Sequence, residues 1–553
     1  MFRGALERFI ADDEKLVRDV ADSKRFIWLG SGISRDQVPD LSSIMRRMLL
    51  GLRDRAQSGD ERDIHRNALV QILSAYLNDE LPRYEAQPDT WEPISTEPLR
   101  NVYSDVVGTR VGAKSGEYLL IEVAQLVDTY GDPNLQPGPI HQYLAILIAE
   151  GMVKHLASGN WDGLVESALQ DLTEKPEWLD VYVVADDRRA ATGFAELAKF
   201  HGCAVLAHED PETYLGKIIA TRAQIGRFST RTEFDHMRTW LAQRTEQDRS
   251  LILGLSVQDS DLLNVFTKAA EAHPWPWDSD RPAYVFAQPA LRGEQLDVLE
   301  NCYNGDFDEH RDAVIARSAF GHYAGAAVAA LTWRSLTLKT LAILERAELD
   351  SAQIANELSR GIDHLADEIP RRMGYGEGRL LNFLTGPYSS FVREYYGGRG
   401  FSGRYAVAVR GSLTQVAVDP TVPLLTSDLL ACAMGFLGWG LYANHWNLAF
   451  EGTDDRARLA LTRSTSAAVG VRVVRGAVEA DEVLSSDDWV QSGDVRALVY
   501  MHDRPRSPQR STSSRIGSRR RSGSRVEISW SDLTSDINSI DEAASRFLSV
   551  MGI

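Results

Sequence analysis

Four short stretches of this chain hold side chains that can do chemistry. The first is Gly30-Ser31-Gly32-Ile33-Ser34, which directly follows the apolar run Phe26-Ile-Trp-Leu29. Small residues at the carboxyl end of a strand let the backbone approach a phosphate closely, and free N–H groups there bind an anion. The dinucleotide fingerprint G-x-G-x-x-G is incomplete because position 35 is Arg, so a plain strand-to-helix turn is equally open. The second stretch is Asn160-Trp-Asp162. A neutral amide both donates and accepts, so Asn160 can position water without adding charge. Asn and Asp also cap helices, which is the simpler reading of the pair. The third is Lys199-Phe-His201-Gly202-Cys203. An imidazole near neutrality can take or return a proton, although His-Gly is also an ordinary turn. The fourth is Gly254-Leu-Ser256-Val-Gln-Asp259, a hydroxyl and a carboxylate just past another apolar run. His141, inside Pro139-Ile-His-Gln-Tyr-Leu144, reads as a packing or capping histidine rather than a catalyst.

These stretches need a frame. Phe26–Leu29, Val181–Val184, Leu251–Leu255 and Ala283–Ala287 are short apolar runs between helical patterns, and Val153–Ala157 is read as a further short strand. That pattern predicts a parallel sheet covered on both faces, a doubly wound α/β domain over residues 1–310. Residues from about 60 to 130 interrupt it with helical, Pro-rich material, read as an insertion over the sheet's carboxyl edge. From 311 to 553 a mixed α+β domain is expected, helical over Ala313–Leu349 and Ser351–Arg372, with Tyr405–Val409 as a strand and Ile540–Val550 as a closing helix. Arg504 to Arg525 is rich in Arg and Ser and nearly devoid of apolar residues; it reads as a disordered surface loop, or as an arm that meets phosphate.

Composition narrows the function classes. The formal net charge of −18 over 553 residues argues against general duplex binding. Three scattered cysteines, Cys203, Cys302 and Cys432, give neither a disulfide framework nor a cysteine-built zinc site, which points to a reducing cytosol. Met1 to Val20 lacks the apolar core of a signal peptide. Leu429 to Phe450 has no Asp, Glu, Lys or Arg, yet its Asn444, His445 and Asn447 suit a buried helix pair better than a membrane span.

Taken in order, the motifs resemble a known family. Gly30-Ser-Gly-Ile-Ser34 followed by Val38-Pro39-Asp40 is similar to the sirtuin signature, a G-A-G-x-S turn followed by I-P-D. The family's next pair, Phe-Arg, is Leu41-Ser42 here. Asn160-x-Asp162-x-Leu164-x-Glu166, Lys199-x-His201-Gly202 and Gly254-x-Ser256-x-x-Asp259 resemble the core segments of bacterial sirtuin-like effectors, and Pro139–Leu147 their lead-in helix. The resemblance runs roughly from Ser23 to Tyr303.

The resemblance implies a Rossmann-like sheet of sirtuin type with NAD+ as substrate and no metal. It implies hydrolysis of NAD+ to nicotinamide and ADP-ribose, since the family's zinc module and Phe-Arg pair are missing. Asn160 would position water at the ribose and His201 would act as base. Asp162 would orient the ribose or Asn160, and Ser31 and Ser34, on the Gly30–Gly32 turn, would meet pyrophosphate and ribose. Ser256 and Asp259, after Gly254, would meet the adenosine-side ribose. It further implies a cytoplasmic antiphage effector that aborts growth by depleting NAD+. Such effectors are gated by homo-oligomerisation or by a partner, a hexameric DNA-translocating ATPase or a short Argonaute, so nucleic acid would be met only indirectly. The alternative is a catalytically silent nucleotide-binding module.

Overall fold

The computed structural model describes all residues except 58, 258–259, 348, 350, 399–400, 423–426, 452–457, 463–468, 486–495, 503–524 and 552–553. The Arg/Ser segment therefore lies outside the described residues, apart from Arg525, which opens a strand.

The first half is built on a six-stranded, wholly parallel sheet: β1 Arg25–Leu29, β2 His155–Ser158, β3 Leu179–Tyr182, β4 Ala195–Lys199, β5 Arg249–Leu253 and β6 Tyr284–Phe286, in the order β3-β4-β2-β1-β5-β6. The chain leaves β1 toward β2 on one side and later crosses to β5 on the other. The order thus reverses at β1, where open α/β sheets leave a crevice at their carboxyl ends. Both faces are covered. Phe26 and Trp28 point into a core with Trp240 and Phe266, while Ile27 and Leu29 point to the opposite core, which includes Leu147 and Leu169. The doubly wound reading thus holds.

Strand ends shift by a residue or two for local reasons. Val183 and Val184 leave β3 because Asp187 Oδ2 accepts both of their N–H groups, at 2.8 and 2.9 Å. β4 was not foreseen: Ala195-Glu-Leu-Ala-Lys199 has no β-branched or aromatic residue, and only its place between β2 and β3 makes it a strand.

Between β1 and β2 the chain forms a helical layer, including Leu41–Gln57, Arg62–Tyr76, Leu81–Ala86 and Leu126–Tyr130. Its core of Ile44, Met48, Leu69 and Leu73 runs on to Trp161, Leu164 and Ala204, so the layer sits on the loops that follow β2 and β4.

The second half pairs helices with a separate mixed sheet. β7 Asn447–Glu451, β8 Arg458–Thr462, β9 Val469–Val474, β10 Arg496–Tyr500 and β11 Arg525–Ser529 lie in reverse sequence order; β7–β8–β9 are antiparallel and β9–β10–β11 parallel. Helix Ala324–Glu345 packs on Phe2–Ala11, Glu14–Ala21 and Pro139–Ala149, so one apolar core joins it to the parallel sheet. Among the described residues it is the one helix long and apolar enough to cross a membrane, and it is buried inside the protein.

Two expectations are corrected. Tyr405–Val409 is not a strand. The Tyr405 N–H goes to Leu172 O at 2.8 Å and the Ala406 N–H to Ser389 Oγ at 3.0 Å, so helix ends satisfy this backbone and no ladder is needed. Leu429–Phe450 is not a helix pair. Helix Ser427–Tyr442 ends, Asn444 turns in the left-handed region at φ 60°, and the chain enters β7.

Candidate functional site

The strand register brings the motif loops together. Leu29 is level with Ser158 on one side and Leu253 on the other, and Ser158 is level with Lys199. Gly30, Gly159-Asn160, Phe200-His201 and Gly254 therefore all leave the sheet at one edge, within two residues of the last paired row. The row is extended by Gly30 N–H to Leu253 O at 3.0 Å, Gly159 N–H to Leu29 O at 3.1 Å and Phe200 N–H to Ser158 O at 3.1 Å.

The glycine turn is also a packing element. Four of its five N–H groups are spent within the fold: Gly30 on Leu253 O, Gly32 on Gly254 O, Ile33 on Gly30 O and Ser34 on Ser31 O. A Cβ on Gly30 would lie 2.6 Å from Gly254 O, and one on Gly32 would lie 2.8 Å from the Gly254 Cα. The two glycines let the β1 and β5 turns touch, with Gly254 itself at φ +66°.

Asn160 is fixed by a chain of hydrogen bonds. His141 Nδ1 accepts from the Gly138 N–H at 3.1 Å and caps its helix, so in the neutral ring Nε2 carries the hydrogen. Burial holds that ring neutral, its pKa pushed down to about 4. Nε2 then donates to Ser34 Oγ at 3.0 Å, which also accepts from Asn160 Nδ2 at 3.2 Å. The second Nδ2 hydrogen goes to Gly30 O at 3.1 Å. Both amide hydrogens are thus used, and the amide cannot flip. Asn160 Oδ1 is left buried without a partner among the described residues. A buried acceptor in that condition is costly unless a ligand or water supplies a donor. The capping reading of His141 holds, and the ring also positions Ser34.

His201 faces the same space from the β4 loop. Its Nε2 is 3.1 Å from Asp261 Oδ2, and both side chains are buried. The other Asp261 oxygen accepts the Leu262 N–H at 2.9 Å. A carboxylate only accepts, so Nε2 carries a hydrogen, and the Nδ1 edge turns to Gly159, where an added Cβ would lie 3.6 Å away. Lys199 braces the loop from below. Its buried ammonium donates to Asp162 O and lies 3.2 Å from Glu166 Oε1; burial would lower its pKa, but Glu166, Cys203 and Asp162 together raise it. Asp162 Oδ1 accepts the Leu164 N–H at 3.2 Å, so it does cap the following helix.

A cavity of about 970 Å³, open mouth included, occupies this edge. Gly30, Ser31, Ser34, Asn160, Asp162, His201, Gly254 and Ser256 line it; Gly32 does not, and Asp259 lies outside the described residues. Asn160 and His201 thus share one cavity. Residues 154–307 match the family model of the SIR2-like domain.

SIR2-like domains bind NAD+. The match takes in β2 to β6 with Asn160, His201 and Asp261, while β1 and the glycine turn lie before it. No curated protein matches the chain. The orphan Oδ1 of Asn160, the Ser34 hydroxyl that already accepts twice and so keeps its hydrogen for a third partner, and the buried His201–Asp261 pair fit a ribose-bearing ligand. Among the described residues no cluster of three or more His, Cys, Asp or Glu is placed to hold a metal ion.

Sequence reasoning missed several wall residues. Asp261, which stands behind His201 rather than on the wall, lies two positions beyond the acid it chose, and nothing local distinguishes it. Arg35 stood out only as the residue that breaks the dinucleotide fingerprint. Arg100, Tyr103 and Tyr130 come from the helical layer, whose sequence carries no motif.

Proposed function

We propose that this chain hydrolyses NAD+ to nicotinamide and ADP-ribose. The observation that carries the reading is the placement of Asn160, with its unpartnered buried acceptor, and His201, braced by Asp261, on the wall of one cavity. As the nicotinamide–ribose bond breaks, its electron pair goes to the pyridine nitrogen and cancels that charge, and positive charge builds on the ribose. Asn160 Oδ1 accepts from the attacking water or from a ribose hydroxyl. His201 takes the proton that water loses as the new C1′–O bond forms, and releases it to solvent. The Asp261 carboxylate steadies the imidazolium. A neutral amide beside the ribose cannot capture the cation covalently, as a carboxylate does in retaining glycosidases. Water rather than an acyl-lysine is the acceptor, because the scattered cysteines offer no zinc module and Leu41-Ser42 replaces the Phe-Arg pair.

The wider setting rests on the resemblance alone. We read the chain as a cytoplasmic antiphage effector, held off until infection by oligomerisation or by a partner such as a hexameric DNA-translocating ATPase or a short Argonaute. Turnover of a fluorescent etheno-NAD+ by the full chain, alone and with such partners, tests the activity. Asn160→Ala and His201→Ala should each lower kcat by about 10² or more. NAD+ binding without turnover under every condition would instead make the chain a silent nucleotide-binding module.

A further inference from the structure

We propose that the substrate's diphosphate is gripped by the side chains of Arg35 and Arg100, and not by the backbone of the glycine turn. The inference rests on the NAD+ reading above, and it names the group at this site that would hold the anion.

A diphosphate needs hydrogen-bond donors and positive charge, and a strand-to-helix turn normally offers N–H groups. Here the N–H groups of Gly30, Gly32, Ile33 and Ser34 already have partners. The gap between the turns is also closed. The β5 turn fills the space where a Cβ on Gly30 or Gly32 would sit, with backbone atoms at 2.5 to 2.8 Å, so a phosphate has no room there. With those four donors spent and that gap closed, side chains on the cavity wall supply the donors and the positive charge the anion needs.

Two guanidinium groups stand there. Arg35 follows the turn directly, is exposed, and has no carboxylate within 4 Å among the described residues. Arg100 comes from the 3-10 segment Glu97–Val102 of the helical layer. Its ion pair with Glu97, at 3.0 Å, leaves the two side chains 39% and 61% exposed, a pair that costs little to exchange. Burial would raise the Asp40 carboxyl, but two hydrogen bonds from Ser43 and, less strongly, the charges of Arg100 and Arg35 hold it below its usual range, so both guanidinium groups lie within electrostatic reach of this one carboxylate. A planar fork of donors suits phosphate oxygens, and two forks suit two phosphates. On this account the helical layer supplies half of the substrate's anion site.

The test is calorimetry with the full chain, using ADP-ribose, which the proposed reaction does not consume, and adenosine, which lacks the diphosphate. Arg35→Ala and Arg100→Ala should each weaken ADP-ribose binding about tenfold, and the double variant about 10²-fold, with adenosine binding within about twofold of wild type. Arg100→Lys should retain part of the affinity, which separates charge from packing. Unchanged ADP-ribose binding in the double variant overturns the clamp, and so does a parallel loss for adenosine. The clamp can fail while turnover still depends on Asn160 and His201. Equally, ADP-ribose binding can depend on the arginines while turnover ignores Asn160 and His201, which sinks the hydrolase reading alone. A wild-type chain that binds no ADP-ribose removes both.

Discussion

Replacing Asp261 with asparagine should invert the tautomer of His201. Asp261 gives one oxygen to the Leu262 N–H at 2.9 Å and the other to His201 Nε2 at 3.1 Å. In the asparagine variant the oxygen must stay on Leu262, because that N–H is buried and can only donate. The new NH2 then faces His201, so Nε2 must become the acceptor and the hydrogen moves to Nδ1, the edge that turns to Gly159 and the cavity. The base then has no lone pair where it is needed. Loss of the charge-assisted bond costs about 1.5–3 kcal/mol, which is about 10- to 10²-fold in rate. Loss of the base adds to this, since general base catalysis is worth about 10²–10⁴. A drop in kcat of about 10³ is expected, with KM and ADP-ribose affinity nearly unchanged because the ring stays in place. The assay is steady-state NAD+ turnover under activating conditions, with a thermal melt to show that the fold is intact. A folded Asp261→Asn variant with kcat within about threefold of wild type would refute the reasoning.

Stability should fall as the solution is acidified, in part through His141. Its folded pKa lies near 4 against 6.5 when unfolded, so its contribution is complete above 6.5 and is lost as pH drops toward 4, by about 3 kcal/mol in all. Urea midpoints of wild type and His141→Gln should therefore converge between pH 7.5 and pH 4.5, and a constant gap would contradict this. Gly254→Ala should destabilise the protein by about 2 kcal/mol or more, because φ is +66° and the new Cβ would sit 2.8 Å from the Ile33 nitrogen; a denaturant midpoint equal to wild type would show that the β1 and β5 turns are not in close contact. Lys339 and Glu150 form a buried pair at 2.6 Å, with Tyr405 OH on the other Glu150 oxygen at 2.7 Å. Lys339→Met alone should cost about 3–5 kcal/mol, and adding Glu150→Gln should restore much of it, read from the same unfolding curves.

The chain's local signals set out much of the frame. Runs such as Phe26–Leu29 and Leu251–Leu253 are strands because continuous apolar segments of that length must be buried on both faces, and the sequence shows this directly. The loops that follow them were legible for the same reason: a glycine, an amide or an imidazole just past such a run lies at the sheet edge. Where a segment's partners lie far off in sequence, reading it alone failed. Tyr405–Val409 has the composition of a strand, but helix ends more than 10 residues away, Leu172 O among them, had already claimed its amides. β4 lacks strand propensity and is a strand only because β2 and β3 offer it ladders.

The same division runs through the site. Residue types determined that Asn160 and His201 were candidates, since an amide and an imidazole can do this chemistry wherever they stand. What each one does was decided in three dimensions. Asn160 presents its oxygen because Ser34, itself held by His141, and Gly30 consume its hydrogens, and His201 has its tautomer because Asp261, 60 residues later, accepts from one nitrogen. Hydrogen bonds and charges act through space over a few ångströms, whatever the distance along the chain. Only the folded chain, with its register of β1, β2, β4 and β5, turns those scattered residues into one wall.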